Sequence, residues 1–235
     1  TYDRELGEVL QSGYEGVMCV ECGGPEPGVG CAGRGIIITT FELLDDLGIS
    51  RLAPEMTVYD VLGDVVCGGF AVPLRRDYAD TILIVTSDEY MSIYAANNIL
   101  RGIRNYDGRG RRVGGLILNS GGRGERVLRF ARAVSLPVIA EFPRSEIFCE
   151  AERKGMTLVE AFPDSDLAQA FLVLARRILE GLETHEASPL SDQELERAVL
   201  GREGQTNVMA DKIGHLPSQT SEERTWRRYL SRNVR

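Results

Sequence analysis

Hydrophobic residues along this chain fall into short continuous runs, and between the runs they recur with helical spacing. Three runs, at 81–86, 113–120 and 137–142, are almost wholly apolar, as in strands that are covered on both faces. A run at 56–62, rich in β-branched residues, predicts a further buried strand. Strands that alternate with helices in this way predict an α/β fold with a mostly parallel sheet flanked by helices.

The helical spacing also predicts where several helices begin and end. One helix should run over 36–47 and stop at Gly48, and another should run from a cap at Ser87 or Asp88 to about residue 106. Cys149 falls in a helix after the run at 137–142, where a packed thiol is expected. The residues expected to face the core from the second helix are Met91, Tyr94, Ala95, Asn98, Ile99 and Ile103.

Length and composition predict one α/β domain over residues 1–200. With 235 residues, 43% of them hydrophobic, the chain can bury a sizeable core. Beyond Gly201 the residues become polar and charged, so 201–235 is expected to be a flexible tail.

Charge and cysteine content narrow the class of function. A net charge of −8 argues against nucleic acid as a partner. No apolar run reaches membrane-spanning length, and no signal-peptide pattern is present. Five irregularly spaced cysteines do not fit a secreted disulfide framework. A cytoplasmic protein that uses neither a membrane nor nucleic acid is expected.

Candidate chemistry is concentrated in two stretches. Asp60 and Asp64 lie four residues apart at the end of the predicted strand, and Cys67 follows them, with two glycines after it. Ligands of open α/β sheets collect at such strand ends. The second stretch, 22–35, is rich in glycine and proline, holds Cys31 and opens into a helix. Its backbone amides favour an anion, and a thiolate-held iron–sulfur cluster is one.

These stretches carry a resemblance to a known family. The segments GGPEPGVGCAGRG at 23–35, YDVLGDVVCGGF at 59–70 and YAANNI at 94–99 resemble the nitrogenase iron protein family. The resemblance implies a P-loop NTPase fold of the SIMIBI-like type. The chain contains no Gly-x-x-x-x-Gly-Lys-Ser/Thr motif. We therefore expect the N-terminal strand and P-loop to be missing from this sequence, by truncation rather than by a real absence.

The resemblance implies a homodimer with one 4Fe-4S cluster between its subunits. The matching cysteines are Cys31 and Cys67, so two chains together supply four thiolates. The Cys-x-x-Cys pair of Cys19 and Cys22 leaves an alternative open, because with Cys31 and Cys67 it gives four thiolates within one chain. Arg34 matches an arginine on the surface that docks the partner protein, and in some relatives that arginine is ADP-ribosylated.

The same resemblance assigns residues to MgATP. Asp60 is expected to bind Mg²⁺ through water, and Asp64 to orient or deprotonate the attacking water, as the catalytic pair. Asn119 matches the residue that contacts adenine, and Pro143 and Arg144 match the loop that closes over the base. The family's acidic residue after this arginine is Ser145 here, which puts direct base contact at that position in doubt.

The implied activity is ATP-dependent transfer of single electrons to a larger nitrogenase catalytic protein in nitrogen fixation, with ferredoxin or flavodoxin as the electron source. Two alternatives stay open. One is the reductase component of a nitrogenase-like system, such as a nickel-tetrapyrrole cyclase or a sulfur-compound reductase. The other is a non-hydrolysing regulator, if the P-loop is truly absent.

Overall fold

The structure is a computed structural model, and it describes residues 5–21, 35–61, 78–106, 110–119 and 124–201, with 35–40 described by their backbone alone. Contacts divide the chain into residues 1–200 and residues 201–235. The predicted flexible tail, 201–235, lies outside the described residues apart from Gly201.

The N-terminal part consists of short elements. Helix α1 (Leu6–Val9) leads into an antiparallel hairpin of β1 (Gln11–Ser12) and β2 (Met18–Cys19), and helix α2 spans Gly35–Asp46. Helix α2 confirms the helix predicted at 36–47. Gly48 follows it with φ of 80°, a left-handed conformation that glycine adopts without strain. None of the side chains described between residues 5 and 61 is buried.

A parallel sheet follows, with its longest strand in the middle. Strands β3 (Ile82–Thr86), β4 (Arg111–Asn119) and β5 (Val138–Phe142) lie side by side in the order β3-β4-β5, all parallel. A short strand, β6 (His185–Glu186), pairs antiparallel with the beginning of β4. The three apolar runs are therefore strands, as predicted, and the fold is α/β with a mostly parallel sheet.

Helices connect the parallel strands and cover the sheet on both faces. A parallel connection needs a crossover, which a helix usually provides. The described helices after β3 are α3 (Tyr90–Tyr106), α4 (Glu125–Ala133), α5 (Glu146–Arg153), α6 (Leu158–Ala161), α7 (Asp166–Leu179) and α8 (Asp192–Leu200). Helices α3, α4 and α8 pack on one face around Ile84, Leu116 and Phe130. Helix α7 packs on the other face, against Ile117 and Ile139.

A buried asparagine fixes the C-terminal segment on α3. Asn97 is fully buried; its Nδ2 donates to the carbonyl oxygen of Leu190 at 2.9 Å, and its Oδ1 accepts from the Leu190 amide at 2.9 Å. Arg101 donates to the same carbonyl at 2.7 Å and to Asp192 at 2.6 Å. Both polar groups of the Asn97 amide are therefore paired, which is what makes its burial tolerable.

The buried strand predicted at 56–62 is wrong for the residues described there. No strand is assigned over 56–61, and Val58 and Val61 are 79% and 42% exposed. A strand is stabilised by hydrogen bonds to a neighbouring strand, and no described residue pairs with this segment. Its apolar sequence is therefore not sufficient to make it a strand.

Three further predictions are corrected by packing. The buried residues of α3 are Ile93, Ala96, Asn97, Leu100 and Ile103. The prediction is confirmed for Ile103 and, as partly buried residues that pack on the core, for Tyr94 and Ile99, whereas Met91 is 68% exposed. Cys149 is exposed rather than packed, because it points away from the face of α5 that buries Ala151. Of the two expected caps of α3, Asp88 is wrong, since its carboxylate binds another helix, whereas Oγ of Ser87 accepts a hydrogen bond from the Glu89 amide just before α3.

Candidate functional site

The carboxyl ends of the three parallel strands meet at one edge of the sheet. Thr86 lies opposite Leu118, and Asn119 lies opposite Phe142 in the strand register. The last residues of β3, β4 and β5 are therefore neighbours across the sheet. This is the edge at which open α/β sheets bind ligands.

Three of the predicted nucleotide-binding residues come together at this edge. Asn119 ends β4 opposite Phe142, and Pro143 and Arg144 follow Phe142 directly. All three residues are exposed. Ser145, which replaces the family's acidic residue, begins α5 instead, where its Oγ accepts a hydrogen bond from the Ile147 amide at 3.5 Å. The strand register thus brings an exposed amide, and an exposed arginine two residues after Phe142, to the same edge of the sheet.

Hydroxyl groups gather at the end of β3. Thr86 is 3% exposed, and its Oγ1 lies 3.2 Å from Oγ of Ser92 in the first turn of α3. The same Ser92 oxygen accepts a hydrogen bond from the Ser87 amide at 2.8 Å. These bonds fix the turn between β3 and α3, and with it the neighbouring Asp88.

Asp88 caps a helix that is distant in sequence. Its Oδ1 accepts hydrogen bonds from the amides of Arg126 at 2.8 Å and Val127 at 3.2 Å, in the first turn of α4. Gly124 precedes that helix and has no side chain to cap it. A carboxylate at a helix N-terminus satisfies free amides and is favoured by the helix dipole. The sequence pattern offered this acid as a cap of the adjacent helix α3. A bond between residues 38 positions apart leaves no local pattern from which it could be predicted.

Replacing Asp88 with alanine should therefore loosen α4 rather than α3. We expect a loss of about 1 kcal/mol in unfolding free energy, the usual cost of a lost cap, and a fall in Tm of about 3 °C for a unit of this size. The measurement is thermal unfolding followed by circular dichroism. Glu89→Ala is the matched control, because it removes the exposed neighbouring carboxylate. Equal Tm values for the two variants would contradict the cap.

Of the remaining predicted site residues, Asp60 alone is described. It is exposed, and its neighbour Tyr59 packs against Phe41 of α2. Asp64, Arg34, Cys31 and Cys67 lie outside the described residues.

Two thiols are described, and both are exposed. They are Cys19 and Cys149. The Sγ of Cys19 lies 3.9 Å from the Val17 carbonyl oxygen within its own hairpin. Within the described ranges, no group of three or more His, Cys, Asp or Glu side chains is arranged to hold a metal ion.

A shallow pocket of about 220 Å³ lies between β5 and α7. Apolar side chains form most of its wall, together with Arg177, which donates to the Ile139 carbonyl at 2.6 Å. None of the predicted site residues lines it.

The protein is an α/β protein with a mostly parallel sheet that helices cover on both faces. Polar side chains lie at the carboxyl ends of its strands. Residues 2–204 match the family model described as 4Fe-4S iron sulfur cluster binding proteins, NifH/frxC family. The chain belongs to this family, which confirms the family relationship that its sequence segments indicate.

Similar proteins include nitrogenase iron proteins of methanogens. The chain is 48% identical to nitrogenase iron protein 2 of Methanothermobacter thermautotrophicus over 83% of its own length and 73% of that protein. It is 45% identical to the nitrogenase iron protein of Methanococcus voltae, over 82% of this chain and 70% of that one. The nitrogenase iron protein of Methanospirillum hungatei JF-1 is 48% identical, over 82% and 70%.

Among solved structures, a ParA family ATPase from Chlorobium tepidum TLS aligns with 43% of each chain at a TM-score of 0.39 and 19% identity. This likeness is too weak to carry an argument about the site. Within the described residues, none of the helices combines the length and apolarity needed to cross a membrane.

Proposed function

We propose that this protein is the ATP-dependent electron donor of a nitrogenase. It acts as a homodimer that holds one 4Fe-4S cluster and passes single electrons to a larger nitrogenase catalytic protein. Ferredoxin or flavodoxin supplies the electrons.

The observation that carries this proposal is the family match over residues 2–204. The matched region contains both cysteines and both aspartates of the predicted site, Cys31, Cys67, Asp60 and Asp64. Relatives that are 45–48% identical over more than four-fifths of the chain carry the name nitrogenase iron protein. This level of identity extends well beyond the motifs themselves.

The thiol content of the chain suits a cluster that two subunits share. Cys31 and Cys67 are the proposed ligands, and two copies of the chain give the four thiolates that a 4Fe-4S cluster takes. When bound, the cluster supplies one-electron transfer. Arg34, three residues after Cys31, is proposed to contact the partner protein.

The proposed MgATP site combines the two aspartates with the sheet edge. Asp60 binds Mg²⁺ through water, and its exposed carboxylate suits an ion that keeps most of its water. Asp64 orients the attacking water and accepts its proton. Asn119 contacts the adenine base through its amide, and Pro143 and Arg144 belong to the loop that closes over the base. The register that sets Asn119 opposite Phe142, at one edge of the sheet, supports this role.

A second candidate belongs to the same class. The family name joins NifH with frxC, so the partner is alternatively a nitrogenase-like enzyme, such as a nickel-tetrapyrrole cyclase or a sulfur-compound reductase. The residues proposed for the cluster and for MgATP are the same in both cases. The candidates differ only in the protein that accepts the electron.

The test uses the full-length protein purified without oxygen. We expect about four iron atoms and about four sulfides per dimer, an EPR signal in the reduced form, and ATP-dependent electron transfer to a nitrogenase catalytic protein. Reduction of that protein without ATP, or no reduction at all, would count against the nitrogenase assignment. A protein with an intact cluster but no ATP hydrolysis would instead indicate a regulator.

A further inference from the structure

Asp60 lies in a largely exposed segment, and the ring contact next to it is made by Tyr59. Among residues 51–61, Tyr59 is half-buried and all the others are exposed. On either side of the Tyr59–Asp60 pair, Val58 is 79% exposed and Val61 is 42% exposed. No strand pairing holds this segment either. Within the described residues, the contact nearest to Asp60 is therefore the one that holds the Tyr59 ring.

That ring belongs to an aromatic trio formed by Phe41, Tyr59 and Tyr78. The Phe41 ring lies between the other two, with centroid distances of 5.5 Å to Tyr59 and 4.9 Å to Tyr78. Tilted rings at such distances attract one another beyond the area that they bury. Burial, followed by the nearby Tyr78 and Asp45, raises the pKa of Tyr59 above its ordinary value, as expected for a hydroxyl inside this group.

Helix α2 supplies Phe41 and also the carboxylate that binds Tyr78. Phe41 and Asp45 lie four residues apart on α2 and so share one of its faces. The Tyr78 hydroxyl donates to Oδ2 of Asp45 at 2.7 Å. One face of this helix thus contacts Tyr59, which precedes Asp60, and also holds Tyr78. The helix begins at Gly35, four positions after Cys31 in the sequence.

We propose that the aromatic trio positions Asp60 for Mg²⁺, with Phe41 as the central positioning residue. The inference rests on the proposed function, in which Asp60 holds the ion through water. Phe41 touches neither nucleotide nor metal in this arrangement and acts only through the Tyr59 ring.

The test compares nucleotide binding with and without Mg²⁺ in the full-length protein. Groups that orient a metal ligand typically change metal affinity by tenfold or more when they are removed. For Phe41→Leu we expect the gain in ADP affinity that Mg²⁺ confers to fall roughly tenfold, while ADP binding in EDTA stays unchanged. Equilibrium dialysis with labelled ADP measures both. Tyr59→Phe keeps the ring and should behave as wild type.

Phe148→Leu is the matched control. It removes a half-buried ring that meets the edge of Phe171, and it should leave the Mg²⁺ effect unchanged. If Phe41→Leu lowers Tm strongly, Tyr59→Leu provides the second measurement, because it removes the ring and leaves α2 intact. The proposal is overturned if Phe41→Leu and Tyr59→Leu keep the wild-type Mg²⁺ effect, or if Phe148→Leu reduces that effect equally. If the wild type shows no Mg²⁺ effect, the proposed function fails, and the proposal fails with it.

Discussion

Cys67→Ser is expected to abolish the 4Fe-4S cluster, whereas Cys22→Ser should leave it intact. The ligand of iron in such a cluster is a thiolate, and a serine hydroxyl does not ionise near neutral pH. A dimer that loses one of two ligands in each chain keeps two thiolates, too few for the cluster. Cys31→Ser should have the same effect as Cys67→Ser.

Iron and sulfide analysis with EPR of the reduced protein measures this difference. Cys149→Ser is the control, since it removes an exposed thiol on α5 that has no proposed ligand role. The sharing of a cluster between subunits is refuted if Cys22→Ser also loses its iron, or if each chain holds about four iron atoms of its own. Cys19 and Cys22 would then be ligands, despite the position of the Cys19 thiol over its own hairpin.

Gly115→Ala is expected to have the largest effect on stability among the described glycines. Gly115 lies within β4 with φ of 140°, where a side chain is strained. A Cβ there would approach Cγ2 of Ile139 to 2.7 Å and the carbonyl oxygen of Pro137 to 2.8 Å. That carbonyl accepts a hydrogen bond from the Leu116 amide at 2.8 Å, so it cannot move away without weakening the pairing of β4.

Strain and overpacking together should cost roughly 3–5 kcal/mol in unfolding free energy, which lowers Tm by roughly 10 °C. Thermal and urea unfolding measure the loss. Gly7→Ala is the control, because a Cβ at Gly7 meets nothing within 4 Å and should change stability by less than about 0.5 kcal/mol. A Tm for Gly115→Ala within about 2 °C of wild type would contradict the prediction, because it would mean that the backbone at Pro137 shifts to accommodate the added methyl group at little cost.

Local sequence predicted the parallel strands well and the segment at 56–62 poorly. The strands β3, β4 and β5 are continuous apolar runs between helices. Strands of a sheet that helices cover on both faces have this pattern in general. The run at 56–62 has a similar composition. Whether such a run becomes a strand depends on a neighbour from elsewhere in the chain, and its own residues do not specify that neighbour.

The core face of α3 was predicted only in part, for a related reason. The predicted stripe held Asn98 rather than its neighbour Asn97, because helical spacing alone does not show which of two adjacent asparagines is buried. The structure buries Asn97 because the backbone of Leu190, 93 residues later, satisfies its amide. The bond of Asp88 to α4 was missed in the same way. Polar contacts between distant residues leave no periodic signal in the sequence.

The candidate site was predicted in part by resemblance and in part by strand order. The resemblance selected Asn119, Pro143 and Arg144, and the register of β4 with β5 places them at one edge. The surroundings of Asp60 could not be predicted, because Tyr59 and Phe41 meet only when α2 is folded against that segment. The proposed cysteine ligands, Cys31 and Cys67, lie outside the described residues and remain predictions.

None of the side chains described between residues 5 and 61 is buried. Substitutions there are therefore expected to affect binding and catalysis, whereas substitutions in the later core affect stability. The buried hydrophobic residues of the described ranges run from Ile84 to Val199, so among the described residues it is these later ones whose packing bears most on global melting. Substitutions around Asp60 can disturb chemistry while the melting curve hardly changes. Selection for thermal tolerance would then act mainly on the β3–α8 region, and would constrain the side chains described between residues 5 and 61 less strongly.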